Sequence, residues 1–280
     1  MNTHVAIKRL LPGFRSRLLL RRVINFPRDT FDTLTGRRNP LIPPHGLWFV
    51  GGELDYQSVN EEFLQYFIKL GNLRPNSRVL DVGCGIGVMA SRLTSYLNPE
   101  GTYAGFDIVR IGTDWATKNI TRRFPSFSFA HVDIFNKHYN PKGKLSPDTF
   151  KFPYRDGSFD FVFLKSVFTH LLPAAMQNYL AEIRRILKPS GTCLATVFLM
   201  NAQSSELIAR GESSIALVHP FDGYYVVDPE FPETAVGVRE EDFRKWCQNS
   251  SLQAGDNDVH YGSWCGREKF LSFQDIVILR

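Results

Sequence analysis

The sequence predicts an α/β protein built on a doubly wound, mostly parallel sheet of seven strands with an antiparallel edge strand. From residue 78 to residue 199, short apolar segments alternate with segments of helical periodicity, as they do when helices connect parallel strands. One strand, residues 159–164, is almost wholly apolar, which is typical of a strand covered on both faces. Two further β-like segments close the chain and lie near each other in sequence, so we expect them to pair antiparallel at the sheet edge.

The elements follow in chain order from a helix ahead of the first strand. Ser58-Val59-Asn60-Glu61 has the capping-box pattern and predicts a helix start, and Gly71 ends that helix. Strands are predicted at residues 78–81, 101–106, 127–132, 159–164 and 192–199. Helices are predicted at residues 88–97, 115–124 and 174–187.

The alternation stops after residue 199. Residues 200–238 contain a polar stretch and then the aromatic run Phe221-Asp222-Gly223-Tyr224-Tyr225, and they predict an insertion over the ligand site. A helix at 240–247 and β-like segments at 252–261 and 271–279 follow. We therefore predict a basic arm with a Pro-rich linker over residues 1–45 and one domain over residues 46–280, with the insertion at about 200–238.

The amino-terminal arm carries a dense positive charge. Seven basic residues precede the first acidic one, Asp29, and apolar residues lie among them: Lys8, Arg9, Arg15, Arg17, Arg21, Arg22 and Arg28. Three interpretations remain open: a solvated, partly helical arm, a segment on an anionic membrane surface, and an organelle-targeting presequence. Nucleic-acid binding is disfavoured, because the basic run is confined to one end.

The composition narrows the class of protein. A hydrophobic fraction of 43% and a charged fraction of 22% are ordinary for a soluble globular domain. No apolar run is long enough to span a bilayer. The four cysteines form no Cys-x-x-Cys pair, which favours free thiols in a reducing, cytoplasmic compartment, with peripheral membrane attachment left open. No cysteine or carboxylate cluster predicts a metal site.

A glycine-rich loop follows the first strand. Its sequence is Asp81-Val82-Gly83-Cys84-Gly85-Ile86-Gly87, and glycines there allow a tight turn and a close approach of the backbone to a ligand. The dinucleotide fingerprint would require a third glycine at Val88, and no Gly-Lys-Ser/Thr phosphate loop is present. The loop is consistent with a ligand site of another kind, and a purely structural turn remains an alternative.

Acidic residues stand at the ends of three consecutive strands. Asp107 can accept hydrogen bonds from both hydroxyls of a ribose, Asp133 from an adenine amino group, and Asp81 can meet an ammonium. Each alone also fits a helix cap or a turn. Because the carboxyl ends of parallel strands share one edge of the sheet, where ligands bind, the three together favour a ligand site over three separate caps or turns.

These segments form an ordered set that resembles the motifs of class I S-adenosylmethionine-dependent methyltransferases. The matching segments are Val79–Gly87, Gly105-Phe106-Asp107-Ile108, His131-Val132-Asp133-Ile134, Phe152–Phe163 and Leu187-Lys188-Pro189-Ser190-Gly191-Thr192. The resemblance covers about residues 58–200 and implies a Rossmann-like fold with S-adenosyl-L-methionine as cofactor and S-adenosyl-L-homocysteine as product. It also implies that Asp107 binds the ribose, Asp133 with Ile134 the adenine, and Gly83 and Gly85 the methionine part, and that Ile108 contributes to cofactor binding.

Lys165 departs from the family pattern, in which small or polar residues are common. A cation is unfavourable beside a sulfonium, so Lys165 points either at the methionine carboxylate or away. A narrower resemblance to a bacterial group associated with glycan and polysaccharide modification implies a sugar hydroxyl, or a related small molecule, as acceptor. It rests on Phe49-Val50-Gly51-Gly52, the helix from Ser58, Asn136–Pro141, Ser166–His170 and Ser272–Asp275.

A hydroxyl acceptor requires a base. His170 directly follows the fourth strand, and His219, His138 and Asp222 are further candidates; a histidine that merely packs remains an alternative at each position. Two other functions stay open: a subunit that binds the cofactor without catalysis, and a protein or nucleic-acid methyltransferase. Against the second, Leu164-Lys165-Ser166-Val167 is not an amino-methylation motif of the Asn-Pro-Pro-Tyr type.

Overall fold

The central element is a seven-stranded sheet. In the computed structural model, which describes residues 14–49 and 56–280 except for the side chain of Tyr56, the strand order is β10-β11-β5-β4-β1-β2-β3. The strands are β1 (Arg78–Val82), β2 (Thr102–Asp107), β3 (Phe127–His131), β4 (Phe159–Leu164), β5 (Leu187–Val197), β10 (Val259–His260) and β11 (Asp275–Leu279). β1 to β5 are parallel, and β11 is antiparallel to both β5 and β10. The predicted fold class and the antiparallel edge are confirmed.

Helices cover both faces of this sheet. They are α1 (Phe14–Leu34), α2 (Tyr56–Lys69), α3 (Val88–Leu93), α4 (Arg110–Ala116, continued by a π-helical turn Thr117–Thr121), α5 (Pro173–Ile186), α6 (Ala202–Ala209) and α7 (Glu240–Asn249). β4 shows why both faces are needed. Phe161 and Phe163 pack with Phe67 of α2 on one face, while Val162 belongs to the buried cluster on the other face, which includes Ile183 of α5.

The helix predicted at residues 115–124 begins earlier, at Arg110. In the structure Gly112 lies inside α4. A Cβ on Gly112 would lie 2.4 Å from the carbonyl oxygen of Gly85, so only glycine lets α4 pack this closely against the glycine-rich loop.

Two other predicted boundaries are also corrected. β5 begins at Leu187, opposite Phe159, and resumes at Thr192, opposite Phe161, so the residues between them form an irregularity within the strand. Ser58 lies inside α2, which already includes Tyr56. Ser58 is therefore not the first residue of the helix as predicted, and the Glu61 carboxylate forms an ion pair with Arg92 of α3.

The insertion predicted at about 200–238 forms most of a second sheet. Its strands are β6 (Leu199–Met200), β7 (His219–Pro220), β8 (Tyr224–Val226) and β9 (Val236–Arg239), in the order β6-β9-β8-β7. A 3₁₀ turn, Pro232–Thr234, precedes β9 and contacts the turn after β4. The insertion thus reaches the carboxyl edge of the main sheet through this turn.

The described part of the amino-terminal arm is helical. α1 packs on the 3₁₀ turn His45–Leu47, where the Asp29 carboxylate accepts hydrogen bonds from the backbone N–H groups of His45 and Gly46, at 2.8 and 2.9 Å. Among the described residues, no helix is both long and apolar enough to cross a membrane. The predicted roles of residues 1–13, with Lys8 and Arg9, and of the Val50-Gly51-Gly52 segment lie outside the described residues.

Candidate functional site

A cavity of about 700 Å³ opens at the carboxyl ends of β1, β2 and β4. The chain runs outward from β1 to β3 and then returns to place β4 on the other side of β1. At such a switch point the loops after adjacent strands leave in opposite directions and open a crevice. The volume lies within the range of small-molecule sites, about 300–1,000 Å³.

The glycine-rich loop forms the floor of the cavity. Gly83, Gly85 and Gly87 have φ of +78°, +57° and +76°, in the left-handed region that glycine adopts without strain. A Cβ on Gly83 would lie 2.5 Å from Cγ2 of Val167 in the loop after β4. The two loops therefore meet at a distance that excludes a side chain, and Gly83 and Gly85 both line the cavity.

Asp107 lies at the end of β2 and orders the loop. Its Oδ2 accepts from the N–H of Gly85 and its Oδ1 from the N–H of Val109, both at 2.8 Å. Burial raises the pKa of this carboxyl, and the backbone hydrogen bonds oppose that shift. Asp107 and Ile108 both line the cavity, so the carboxylate holds the loop and also faces the position predicted for the ribose.

The side chains of Asp133 and Ile134, which follow β3, lie in different surroundings. Ile134 lines the cavity, whereas Asp133 is not among the lining residues. The Asp133 Oδ1 accepts from Nδ2 of Asn140 at 3.0 Å, and Asn140 also donates to the carbonyl oxygen of Ile134. The carboxylate thus anchors the following loop, and its predicted contact with adenine finds no support in this placement.

The other end of the cavity carries opposite charges. Asp81 is buried at the end of β1, where its Oδ2 accepts from the Tyr103 hydroxyl at 2.6 Å. Lys165 follows β4; its Nζ donates to Oδ1 of Asn60 at 3.1 Å and lies 4.5 Å from the Phe63 ring centroid. Burial raises the pKa of Asp81 to about 7 and lowers the pKa of Lys165 to about 8.

Asn60 was missed by the sequence analysis. It is 2% exposed and lines the cavity, and its Nδ2 has no hydrogen-bond partner among the residues that the structure describes. A buried amide donor without a partner costs about 1–3 kcal/mol, which favours a ligand acceptor at this position. A signal existed: Asn60 shares the buried face of α2 with Leu64 and Phe67, at helical spacing.

The cavity fits the donor that the motifs imply. A carboxylate (Asp81) suits the amino group of a methionine moiety, while the amine of Lys165 and the orphaned amide of Asn60 suit its carboxylate. The glycine-rich loop lets the protein backbone come close to the remaining part of the donor, its nucleoside. In the described ranges, no group of three or more His, Cys, Asp or Glu side chains is arranged to hold a metal ion.

Aromatic and aliphatic side chains form much of the cavity wall. They include Trp48, Phe49, Phe135, Tyr139, Leu171, Leu172 and Phe273. Polar residues line the cavity as well, among them Asn136, Asp148, His170 and Gln274. Such a lining suits an acceptor with a large apolar part and several polar atoms.

His170 is the candidate base that lines the cavity. Its Nδ1 lies 2.9 Å from the carbonyl oxygen of Glu233 in the turn before β9. Because a carbonyl oxygen only accepts, Nδ1 carries the proton and Nε2 is the acceptor nitrogen of the neutral ring. Burial lowers the pKa of His170, with the carbonyls of Glu233 and Thr234 opposing, so the neutral form prevails at pH 7.

The other candidate bases lie apart from the cavity. His219 and Asp222 are exposed on and beside β7, and neither is among the lining residues. His138 Nε2 lies 3.4 Å from a guanidinium nitrogen of Arg17 on α1. The structure thus places only His170 of the predicted bases at the cavity, because the insertion reaches the cavity through residues 232–234 and not through β7.

Ser166, between Lys165 and Val167, has φ of +60°. Its N–H donates to Oγ1 of Thr196 at 2.7 Å and its hydroxyl to Oε1 of Gln274 at 3.0 Å. A left-handed conformation at a residue with a Cβ costs about 1 kcal/mol or more and is typical of functional sites. This conformation turns the chain just after β4, and Lys165, Ser166 and Val167 all line the cavity.

Comparison with known proteins agrees with this geometry. Residues 80–195 match a family model described as a methyltransferase domain. Phthiotriol/phenolphthiotriol dimycocerosates methyltransferase 1 of Mycobacterium ulcerans is 33% identical over 139 residues, which are 50% of this chain and 42% of that protein. Sterol 24-C-methyltransferase erg6 of Schizosaccharomyces pombe is 28% identical over 146 residues, 51% of this chain and 33% of that protein.

The matched stretch is therefore less than half of either relative. Among solved structures, the PH0226 protein of Pyrococcus horikoshii OT3 superimposes with a TM-score of 0.53 at 18% identity. The match covers 82% of this chain and 92% of that one. At this identity the likeness concerns the fold.

Proposed function

Because residues 80–195 match a methyltransferase domain model, we propose that the protein is a class I S-adenosylmethionine-dependent methyltransferase that methylates a hydroxyl oxygen on an acceptor with a large apolar body. We propose further that this hydroxyl is part of a sugar or a related polar head group. The carrying observation is that His170 lines the cavity together with aromatic and aliphatic side chains, its ring centroid 6.1 Å from that of Tyr139. The sterol in the name of one relative is consistent with an apolar acceptor.

The donor is held by the chain as described above. Asp81, Lys165 and Asn60 bind the amino-acid part, Asp107 faces the ribose, and Ile134 packs against the base. When bound, the donor supplies an electrophilic methyl group on a sulfonium. Most of the catalytic effect then comes from aligning the acceptor with that methyl, and alignment can contribute about 7–11 kcal/mol.

His170 removes the acceptor proton in this proposal. The hydroxyl proton moves to Nε2, while the Glu233 carbonyl holds Nδ1–H and fixes the tautomer and orientation of the ring. Because burial lowers the pKa of His170 below its ordinary value of about 6.5, the ring is neutral at pH 7 and its Nε2 can accept a proton. A general base of this kind contributes about 10²–10⁴ in rate.

Three acceptors test the acceptor class. Transfer of labelled methyl is measured to dodecyl β-glucoside, to glucose and to dodecanol. The alkyl glucoside is expected to be the best substrate, because the apolar wall binds its chain and the sugar presents the hydroxyl. Methylation of free glucose alone would contradict the apolar body, and methylation of dodecanol alone would contradict the sugar.

A pair of histidine variants tests the base. His170→Gln is expected to lower turnover about 10²–10⁴-fold while affinity for S-adenosylhomocysteine stays nearly constant. The matched control, His219→Gln, changes an exposed histidine outside the cavity and should retain full turnover. A loss of melting temperature with unchanged turnover in His170→Gln would show a packing role instead.

A further inference from the structure

The outward surface of α1 is apolar. Its six apolar side chains are between 52% and 81% exposed: Leu19, Val23, Ile24, Phe26, Phe31 and Leu34. We call these six residues the apolar face of α1. They are nearly half of the large hydrophobic side chains exposed among the described residues. A concentration of this kind on one helix indicates a surface that meets an apolar partner.

Arginines lie along both borders of the apolar face. At about 100° per residue, Arg15 and Arg22 fall on one side of it, and Arg17 and Arg28 on the other. The acidic residues of α1 lie on the side opposite the apolar face. Asp29 caps the turn at His45, and Asp32 lies 3.7 Å from the His45 ring and 4.0 Å from Nε of Arg28. The outer side of the helix thus presents apolar groups between two rows of positive charge.

We propose that the apolar face of α1 binds the surface of an anionic lipid bilayer. An apolar stripe enters the boundary between head groups and acyl chains, and bordering arginines meet lipid phosphates; both conditions define an interfacial helix. A second copy of the chain fits less well, because two such faces pressed together would bring Arg15 and Arg22 near their own counterparts. Charge therefore selects the bilayer over self-association.

α1 also contacts the cavity. The Phe14 ring makes edge contacts with Phe49 and Tyr139, at centroid distances of 5.5 and 5.3 Å, and both of these residues line the cavity. Phe14 lies on the side of α1 opposite the apolar face, so binding through that face would leave α1, about 10 Å thick, between the lipid and this part of the cavity. Delivery of an acceptor from the bilayer past α1 rests on the proposed function.

Vesicle sedimentation with the full chain tests the binding. Vesicles of phosphatidylcholine are compared with vesicles that also contain phosphatidylglycerol, at low and at high salt. We expect binding to the anionic vesicles that weakens at high salt, since screening shortens the reach of the arginines. Equal binding to neutral vesicles, or no binding to either, would overturn the proposal.

Two double variants locate the surface. Val23→Glu with Phe26→Glu, and Arg15→Glu with Arg22→Glu, should each weaken vesicle binding at least about tenfold. The matched controls are Val218→Glu with Phe221→Glu and Arg74→Glu with Arg155→Glu, which change exposed residues far from α1 in sequence and should bind like the original chain. Because all these positions are exposed, each variant should retain its affinity for S-adenosylhomocysteine.

Light scattering on the same variants separates the bilayer from a second copy. Loss of a dimer in Val23→Glu with Phe26→Glu, with vesicle binding unchanged, would assign the apolar face to self-association and overturn the proposal. Vesicle binding is measured without any acceptor. A failure of the proposed methyl transfer therefore leaves the vesicle result intact, and the reverse also holds.

Discussion

At the scale of single residues, the site depends on two ionisable side chains whose pKa values are shifted toward neutral pH. Asp81 has a pKa of about 7 and Lys165 a pKa of about 8, and burial is the main cause of both shifts. Each group must be charged to attract its part of a methionine zwitterion. The ligand-free protein therefore holds both charges together only over a narrow pH interval.

Affinity for S-adenosylhomocysteine should be greatest between about pH 7 and pH 8. Below about 7 the Asp81 carboxylate takes up a proton and no longer attracts the ligand's ammonium; above about 8 Lys165 loses its proton and its attraction for the ligand's carboxylate. Titration calorimetry across pH measures the loss of affinity on the acid side and on the alkaline side (the acid and alkaline limbs), and on each limb the dissociation constant should rise by up to about tenfold per pH unit. Lys165→Gln should weaken binding and abolish the alkaline limb. Survival of that limb in the variant would exclude Lys165 as its source.

At the scale of elements, the cavity exists because two loops meet at van der Waals distance. The glycine-rich loop after β1 faces the loop after β4, and Gly83 lies against Val167. Gly112 provides the same closeness between α4 and the glycine-rich loop. These glycines serve packing between elements as well as the turn itself.

Gly83→Ala should destabilise the fold by more than its backbone conformation alone explains. The new Cβ would be strained at φ +78° and would lie 2.5 Å from Val167 Cγ2. Gly157→Ala is the matched control, because Gly157 has φ of +59° and no atom within 4 Å of an added Cβ; it should cost about 1–2 kcal/mol. Urea unfolding should show a larger loss for Gly83→Ala, and Val167→Ala should restore part of the difference. Equal losses for both glycines would contradict the predicted clash.

At the scale of the whole molecule, one buried carboxylate joins the two sheets. Asp275 of β11 accepts hydrogen bonds from the N–H of Leu199 in β6, the N–H of Gly262, the Trp264 ring and Arg267. The Arg267–Asp275 pair is 3.1 Å apart, and both side chains are almost fully buried. This network fixes the position of the second sheet against the edge of the first.

Asp275→Ala should lower the free energy of unfolding by about 3–5 kcal/mol, because Arg267 would remain charged and buried without its partner. The control is Glu206→Ala, which breaks an exposed ion pair with Arg210 at 2.6 Å and should cost under about 1 kcal/mol. Denaturant unfolding measures both. Similar small losses in the two variants would show that the buried network does not hold the sheets together.

The sequence by itself determined the sheet, its parallel strands and the glycine-rich loop. These depend on local patterns: the apolar run of β4, the glycines that adopt left-handed φ, and the acidic residues where β1 and β2 end. Its errors at α2, α4 and β5 concern boundaries, where a contact with another element outweighs local preference. Gly112 is the clear case, since a neighbouring carbonyl and not the helix itself requires glycine there.

Only the tertiary structure decided which of the candidate site residues lie in contact with each other. It joined Lys165 to Asn60, 105 positions away, held His170 through a carbonyl of the insertion, and left His219 exposed. It turned Asp133 toward Asn140 and the apolar face of α1 outward. The physical reason is that local periodicity reports which face of an element is buried, whereas the partner on that face depends on packing between segments far apart in the chain.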